Sequence, residues 1–76
     1  MNDKEFLKAL GLKIKILRTL KEVSQDDISN ALGVDKSYLS KLERGLANPS
    51  ILYLKALANY FGINIETFLD LNIKYV

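Results

Sequence analysis

Residues 24–42 read SQDDISNALGVDKSYLSKL, and this stretch carries the clearest local structural signals in the chain. Ser24 is a residue type that accepts hydrogen bonds from the first free N–H groups of a helix, so a helix is predicted to begin there. Gly33 enters the left-handed conformation at low cost, which predicts a tight turn followed by another helix. The small Ser29 and the aliphatic Leu39 allow the two helices to cross closely at a steep angle. The stretch therefore predicts a helix-turn-helix.

Apolar residues recur at helical spacing on both sides of this stretch. The predicted helices cover about residues 3–21, 25–32, 36–44, 51–61 and 64–71, with N-caps at Asn2, Ser24, Asp35 and Ser50. Phe6 and Leu20 are expected in the buried stripe of the first helix, and Leu52 in that of the fourth. Gly11 interrupts the first pattern, where it either splits off a short leading helix or permits close helix packing. Five short helices joined by short loops predict a compact all-α five-helix bundle.

The composition limits both the number of domains and the chemistry. At 76 residues the chain forms one domain, residues 1–76, with a marginal hydrophobic core. The absence of Cys and His excludes disulfides and Cys/His zinc sites, and it removes the commonest acid–base group. We therefore expect no enzyme, no metal, no cofactor and no small-molecule ligand. Asp26 and Asp27 are interpreted as acidic residues that suit a helix start rather than as a metal or acid–base pair.

The sequence shows no sign of a membrane segment. No apolar run approaches the roughly 20 residues needed to span a bilayer, and the N-terminus lacks the features of a signal peptide. A cytoplasmic location is the default expectation. Because neither a disulfide nor a metal stabilises so small a core, we expect a homodimer.

With its flanking residues, the helix-turn-helix stretch resembles the phage repressor and Cro family of DNA-binding domains, which have the lambda-repressor-like fold. The resemblance covers about residues 9–70 and leaves residues 71–76 as a tail. It is carried by Gly11-x-x-Ile14-x-x-Leu17-Arg18, Ser24-Gln25, Leu42-Glu43-Arg44-Gly45, Asn48-Pro49-Ser50, the stripe Leu54, Leu57, Ala58, Phe61, and Gly62-Ile63. Ser29 replaces the usual Ala, and Leu39 replaces a β-branched residue. The order Lys36-Ser37-Tyr38 is similar to that in restriction–modification controller proteins, one branch of the family.

The resemblance implies that the third helix enters the major groove of double-stranded DNA. The implied base contacts are Lys36, Ser37, Tyr38 and Lys41. Lysine donates to guanine O6 and N7, and serine can pair with either base type. The implied phosphate contacts, which set register rather than sequence specificity, are Ser24, Gln25, Ser40, Arg44, Asn48 and Ser50. Arg18 and Glu43 match a family pair that forms a partly buried ion pair between the first and third helices.

The charge distribution leaves a second interpretation open. Residues 1–23 carry six Lys/Arg and three Asp/Glu, whereas residues 24–50 carry three Lys/Arg and four Asp/Glu. Binding faces in this family are usually basic, so the acidic balance slightly favours a protein-interaction module on the same fold, antitoxin-like or co-activator-like. The outward lysines of the third helix favour DNA binding, which is the preferred interpretation. The lysines of the first helix are interpreted as a solvated face.

The last residues alternate between apolar and polar, which is the period of a strand. A free strand with an apolar face is a liability, so this tail is expected to pair or pack with a second chain; a frayed tail is the alternative. The expected dimer interface consists of Phe68, Leu69, Leu71, Ile73 and Tyr75. We therefore expect a homodimeric transcriptional regulator that binds a roughly palindromic operator with half-sites about 34–36 Å apart.

Overall fold

A computed structural model describes residues 1–71, and this part of the chain contains five helices and no strand. The helices are α1 (Asp3–Leu20), α2 (Gln25–Leu32), α3 (Lys36–Glu43), α4 (Ile51–Phe61) and α5 (Ile65–Phe68). The predicted all-α bundle is confirmed, although α5 is shorter than predicted because Leu69 already forms its C-cap. Ile73 and Tyr75 of the predicted dimer interface lie outside the described residues.

Side-chain caps set the helix starts where the sequence places them. Asn2 and Glu5 form a capping box, in which the Glu5 N–H donates to Asn2 Oδ1 at 2.8 Å and the Asn2 N–H donates to Glu5 Oε1 at 3.2 Å. Ser24 and Asp27 form a second box with distances of 3.0 and 2.9 Å. The bond from the Ser24 N–H holds the pKa of the Asp27 carboxyl below its ordinary value. These caps satisfy N–H groups that would otherwise lack partners at the start of α1 and α2.

The helix α1 passes through Gly11 without a break, so Gly11 permits close packing and does not split the helix. A Cβ atom at this position would lie 2.6 Å from the carbonyl oxygen of Glu43, and it would also overlap the carbonyl oxygen of Leu42. Real Cβ atoms do not approach backbone oxygen so closely. The absence of a side chain therefore lets α1 touch the C-terminal end of α3 backbone to backbone.

Every one of the five helices contributes to a single hydrophobic core. Its fully or nearly fully buried members are Leu10, Ile14, Ile28, Leu39, Leu42, Leu54, Leu57, Ala58, Phe61 and Phe68. Each large side chain buried in this way contributes roughly 1.5–3 kcal/mol. The helix-turn-helix is therefore attached to the bundle through the inner faces of α2 and α3.

The structure corrects three expected core positions. Phe6, Leu20 and Leu52 are 41%, 65% and 73% exposed, respectively. The apolar stripes of α1 and α4 extend beyond the segments that neighbouring helices cover, so residues near the helix ends keep the period but remain in solvent. Conversely, Lys13 is buried, and its Nζ donates to the backbone oxygen of Asp70 at 3.2 Å.

The prediction that Phe68 lies in a dimer interface is wrong. Its side chain is fully buried inside its own protomer and stacks on Phe61, with ring centroids 6.4 Å apart. A residue that fills the core of one chain has no surface left for a second chain. Leu69 and Leu71 are partly buried and also pack against this core.

The contact at Gly11 gives a stability prediction. Gly11→Ala improves helix propensity by about 1 kcal/mol, but its new methyl group overlaps the α3 backbone, so we expect a net loss of about 2 kcal/mol or more in the free energy of unfolding. The control is Gly62→Ala. A Cβ atom at Gly62 would have no neighbouring atom within 4 Å, so only the positive φ of this residue is unfavourable. Urea unfolding followed by circular dichroism measures both. A Gly11→Ala variant as stable as the wild type would contradict backbone-to-backbone packing.

Candidate nucleic-acid interface

The surface of α3 is fixed by the two leucines on its inner face. Leu39 and Leu42 are completely buried, and the turn before α3 is closed by Gly33 in the left-handed conformation at φ 67°. The outward residues Lys36, Ser37 and Lys41 are exposed, while Tyr38 and Ser40 are half-buried. The four predicted base contacts thus lie on one helix whose orientation is set by core packing.

Carboxylates engage the polar groups in the first turn of α3. Lys36 Nζ lies 3.4 Å from Asp26 Oδ1, and the Ser37 hydroxyl donates to Asp35 Oδ2 at 2.7 Å. The latter hydrogen bond holds the pKa of Asp35 below its ordinary value. An exposed ion pair of this kind contributes at most about 1 kcal/mol, so a competing acceptor can displace it. The acidic balance of this region therefore arises partly from groups that contact the outward face of α3.

Arg18 and Glu43 form the ion pair expected between α1 and α3. Arg18 Nε lies 2.7 Å from Glu43 Oε2, and Arg18 Nη2 donates to Glu43 Oε1 at 3.2 Å. Gln25 adds a third donor, since its Nε2 lies 3.1 Å from the same Oε1. The Glu43 side chain is only 4% exposed, so these donors compensate a nearly buried charge. The cluster connects α1, α2 and α3 at one point.

A polar recess of about 240 Å³ opens beside this cluster. It is lined by Lys15, Arg18, Gln25, Ser40, Glu43 and Arg44. Three of the predicted phosphate contacts, Gln25, Ser40 and Arg44, therefore lie together. The recess also includes the exposed Lys15, for which the sequence predicts only a solvated face. Its position three residues before Arg18, and thus on the same helix face, is the signal that could have identified it.

The other predicted phosphate contacts lie outside the recess. Ser24 and Ser50 are exposed N-caps of α2 and α4, and their hydroxyl oxygens accept from the N–H groups of Asp27 and Tyr53 at 3.0 and 3.1 Å. Each hydroxyl keeps its proton available as a donor. Asn48 is exposed and lines a separate groove between the starts of α1 and α4. Three of the six residues therefore line the recess, and the other three do not.

Tyr38 is held by an aromatic contact that the sequence does not predict. Its ring lies perpendicular to that of Tyr53 on α4, with centroids 5.3 Å apart and an interplanar angle of 89°. The Tyr53 hydroxyl is buried and has no hydrogen-bond partner among the described residues. Burial, and to a smaller extent the nearby Tyr38 and Glu43, raises the pKa of Tyr53 to about 12. Tyr38 is therefore both a surface residue of α3 and a packing residue.

Two further features of residues 1–71 bear on the kind of site. Within this part of the chain, no group of three or more His, Cys, Asp or Glu side chains is arranged to hold a metal ion. None of its helices combines the length and apolar character required to cross a membrane.

Comparison with known proteins identifies the family. The helix-turn-helix family model matches residues 14–68, which is most of the chain. The crystal structure of the restriction–modification controller protein C.AhdI from Aeromonas hydrophila superposes with a TM-score of 0.77 at 32% identity, covering 82% of this chain and 94% of that one. This chain belongs to the helix-turn-helix family.

Curated relatives of this chain are named as transcriptional regulators and repressors. The HTH-type transcriptional regulator SinR of Bacillus subtilis is 39% identical over 62 residues, which cover 80% of this chain and 56% of SinR. The immunity repressor protein of Bacillus phage phi105 is 32% identical over 57 residues, which cover 75% of this chain and 40% of that protein. This chain spans about half the length of these relatives. The resemblance to phage repressors and controller proteins inferred from the sequence is confirmed.

The ion pair at the edge of the recess gives a second stability prediction. Arg18→Met leaves the Glu43 carboxylate nearly buried without its cation, so we expect a loss of about 3 kcal/mol or more in the free energy of unfolding. The double variant Arg18→Met/Glu43→Leu removes both charges, so its loss in the free energy of unfolding should be smaller than that of the single variant.

Lys36→Ala is the matched control, because it breaks the exposed pair with Asp26 and should change stability by less than about 1 kcal/mol. Urea unfolding measures the stability of the wild type, the single variant Arg18→Met, the double variant and the control. If Arg18→Met lowered the free energy of unfolding no more than Lys36→Ala, the Arg18–Glu43 pair would not be a structural link between α1 and α3.

Proposed function

We propose that this chain is a cytoplasmic, sequence-specific DNA-binding transcriptional regulator whose α3 enters the major groove. The observation that carries the proposal is the placement of Lys36, Ser37 and Lys41 on the exposed face of a helix anchored by two buried leucines. A helix fixed in this way presents donors at a defined spacing, as base readout requires. The family membership and the regulator names of the relatives support the same function.

Base readout in this proposal belongs to the predicted set Lys36, Ser37, Tyr38 and Lys41. The two lysines would donate to guanine O6 and N7. DNA acceptors would replace the carboxylates of Asp26 and Asp35 that now engage Lys36 and Ser37. This exchange costs little, because an exposed ion pair contributes at most about 1 kcal/mol.

The polar recess would receive a DNA phosphate beside α3. Gln25, Ser40 and Arg44 line it, and Lys15 adds a second exposed cation. The N-terminus of α2, which begins at Gln25, presents N–H groups and a positive dipole end on the same side. Ser24, the N-cap of α2, would contact the backbone beside this phosphate, and Asn48 and Ser50 would contact phosphates farther along it. These contacts would set the register of α3 on the duplex.

We further propose that the protein acts as a homodimer on a roughly palindromic operator. One α3 has eight residues, or about 12 Å of helix, and reaches only a few base pairs. A second copy related by two-fold symmetry would double the sequence read, with half-sites about 34–36 Å apart. The proposed contact uses the remaining predicted residues, Leu69, Leu71, Ile73 and Tyr75.

Selection from a randomised duplex pool tests the regulator directly. Protein-bound DNA is separated and sequenced, and affinity is then measured by fluorescence anisotropy at several salt concentrations. We expect an enriched, roughly palindromic sequence and salt-sensitive binding. Lys36→Ala/Lys41→Ala should lose at least about tenfold in discrimination between the enriched duplex and a scrambled one, because base contacts are removed.

Lys4→Ala/Lys55→Ala is the matched control, since it removes two exposed lysines from α1 and α4 and changes the net charge equally. This variant should keep its discrimination within about threefold of the wild type, because it removes charge but no proposed base contact. Equal losses in the two double variants would show that α3 contributes only charge. No enrichment at low salt by folded protein would instead favour the protein-interaction module.

The dimer is tested by removing residues 72–76, which carry Ile73 and Tyr75. Sedimentation equilibrium of the full chain should give twice the mass of the 8.6 kDa chain, and the truncated chain should approach the monomer mass because half of the proposed contact is gone. Lys74→Ala is the control within the same segment and should remain dimeric. A truncated chain that dimerises as tightly as the full chain would exclude the tail from the interface.

A further inference from the structure

Tyr53 occupies an unusual place between the core and the DNA-facing helix. It lies in the first turn of α4, where its N–H donates to the Ser50 cap at 3.1 Å. Its ring packs against the hydrophobic core and meets the Tyr38 ring edge to face. Contacts of both its backbone and its ring therefore fix Tyr53 in place, and its ring contacts the ring of Tyr38.

We propose that Tyr53 is a positioning residue for DNA recognition, which fixes the direction of the Tyr38 side chain on the outer face of α3. Tyr38 lies three residues before Lys41 on α3, and side chains at this spacing are neighbours on a helix surface, so Tyr38 lies next to one of the donors that would read bases. A tyrosine side chain has only two rotatable angles that place its ring, so one perpendicular contact restricts it strongly. The inference rests on the proposed function, because it assigns how one residue of that site is presented to DNA.

The ring of Tyr53, rather than its hydroxyl, performs this role. The hydroxyl is buried and has no hydrogen-bond partner among residues 1–71, so within this part of the chain it holds nothing in place. An unpaired buried hydroxyl is unfavourable for stability. Phenylalanine would keep the perpendicular contact and remove this unfavourable group, whereas leucine would keep apolar packing against the core and lose the aromatic edge.

Three variants separate these contributions. Tyr53→Phe should bind the duplex enriched from the random pool within about twofold of the wild type. Tyr53→Leu should bind it about two- to tenfold more weakly, which is the range expected for loss of an aromatic pair. Affinity for a scrambled duplex of the same length should change less than twofold. The matched control is Tyr60→Leu, the same substitution on the same helix, where the ring meets Phe61 instead of α3.

A double-mutant cycle with Tyr38 distinguishes positioning from general stability. In a Tyr38→Ala background, Tyr53→Leu should have no further effect on the affinity for the enriched duplex, because the ring that it positions is gone. Circular dichroism confirms that each variant is folded at the temperature of the binding assay. A merely structural role would instead weaken both duplexes equally and would add to the effect of Tyr38→Ala.

These experiments distinguish failure of the positioning role of Tyr53 from failure of the proposed DNA-binding function. If the wild type enriches no duplex, both proposals are overturned together. If it enriches one and Tyr53→Leu behaves like Tyr60→Leu, the positioning role alone is overturned. If Tyr53→Phe loses as much affinity as Tyr53→Leu, the hydroxyl and not the ring is the functional group, and the role proposed for the ring is overturned.

Discussion

Close packing of Gly11 against the carbonyl groups at the end of α3 fixes how α1 and α3 are placed relative to each other. It brings two helix backbones together without an intervening side chain. One turn along α3 from this contact Leu39 is fully buried, and two turns along α1 Arg18 reaches Glu43 at 2.7 Å. Because the inner face of α3 is fixed at one end by backbone packing and along its length by leucines, the direction of its outer face follows.

The carboxylates that contact α3 or belong to it have two different physical roles. Glu43 is nearly buried and is compensated by Arg18 and Gln25, so it contributes to structure and adds little negative potential at the surface. Asp26 and Asp35 are exposed and contact outward residues of α3. Their charge lowers attraction for any polyanion, which weakens non-specific binding more than binding that makes base contacts. The weakly acidic balance of residues 24–50 is therefore compatible with a selective DNA-binding surface.

Local chemistry explains which features the sequence could predict. The caps at Asn2, Ser24 and Ser50 act within three residues, so the helix starts could be predicted correctly. Apolar periodicity identifies a helix face but not how far a neighbour covers it, so it predicts Phe6 in the core although Phe6 is 41% exposed. The alternating tail predicts Phe68 in a dimer interface although Phe68 is fully buried in its own protomer. The recess residues of α2 and α3 could be anticipated from the family resemblance. The Tyr38–Tyr53 contact could not, because it joins two helices whose relative placement only the structure provides.

The burial of Phe68 changes what a two-fold contact near α5 can consist of. A specific interface usually buries about 800 Å² per partner, with large apolar side chains at its centre. With Phe68 committed to its own core, the described candidates there are Leu69 and Leu71, which are already partly buried. The exposed parts of these two residues form too small an apolar area to hold a stable dimer by themselves. Any dimer formed at this end must therefore draw most of its apolar area from residues beyond Leu71 or from other exposed groups of the chain.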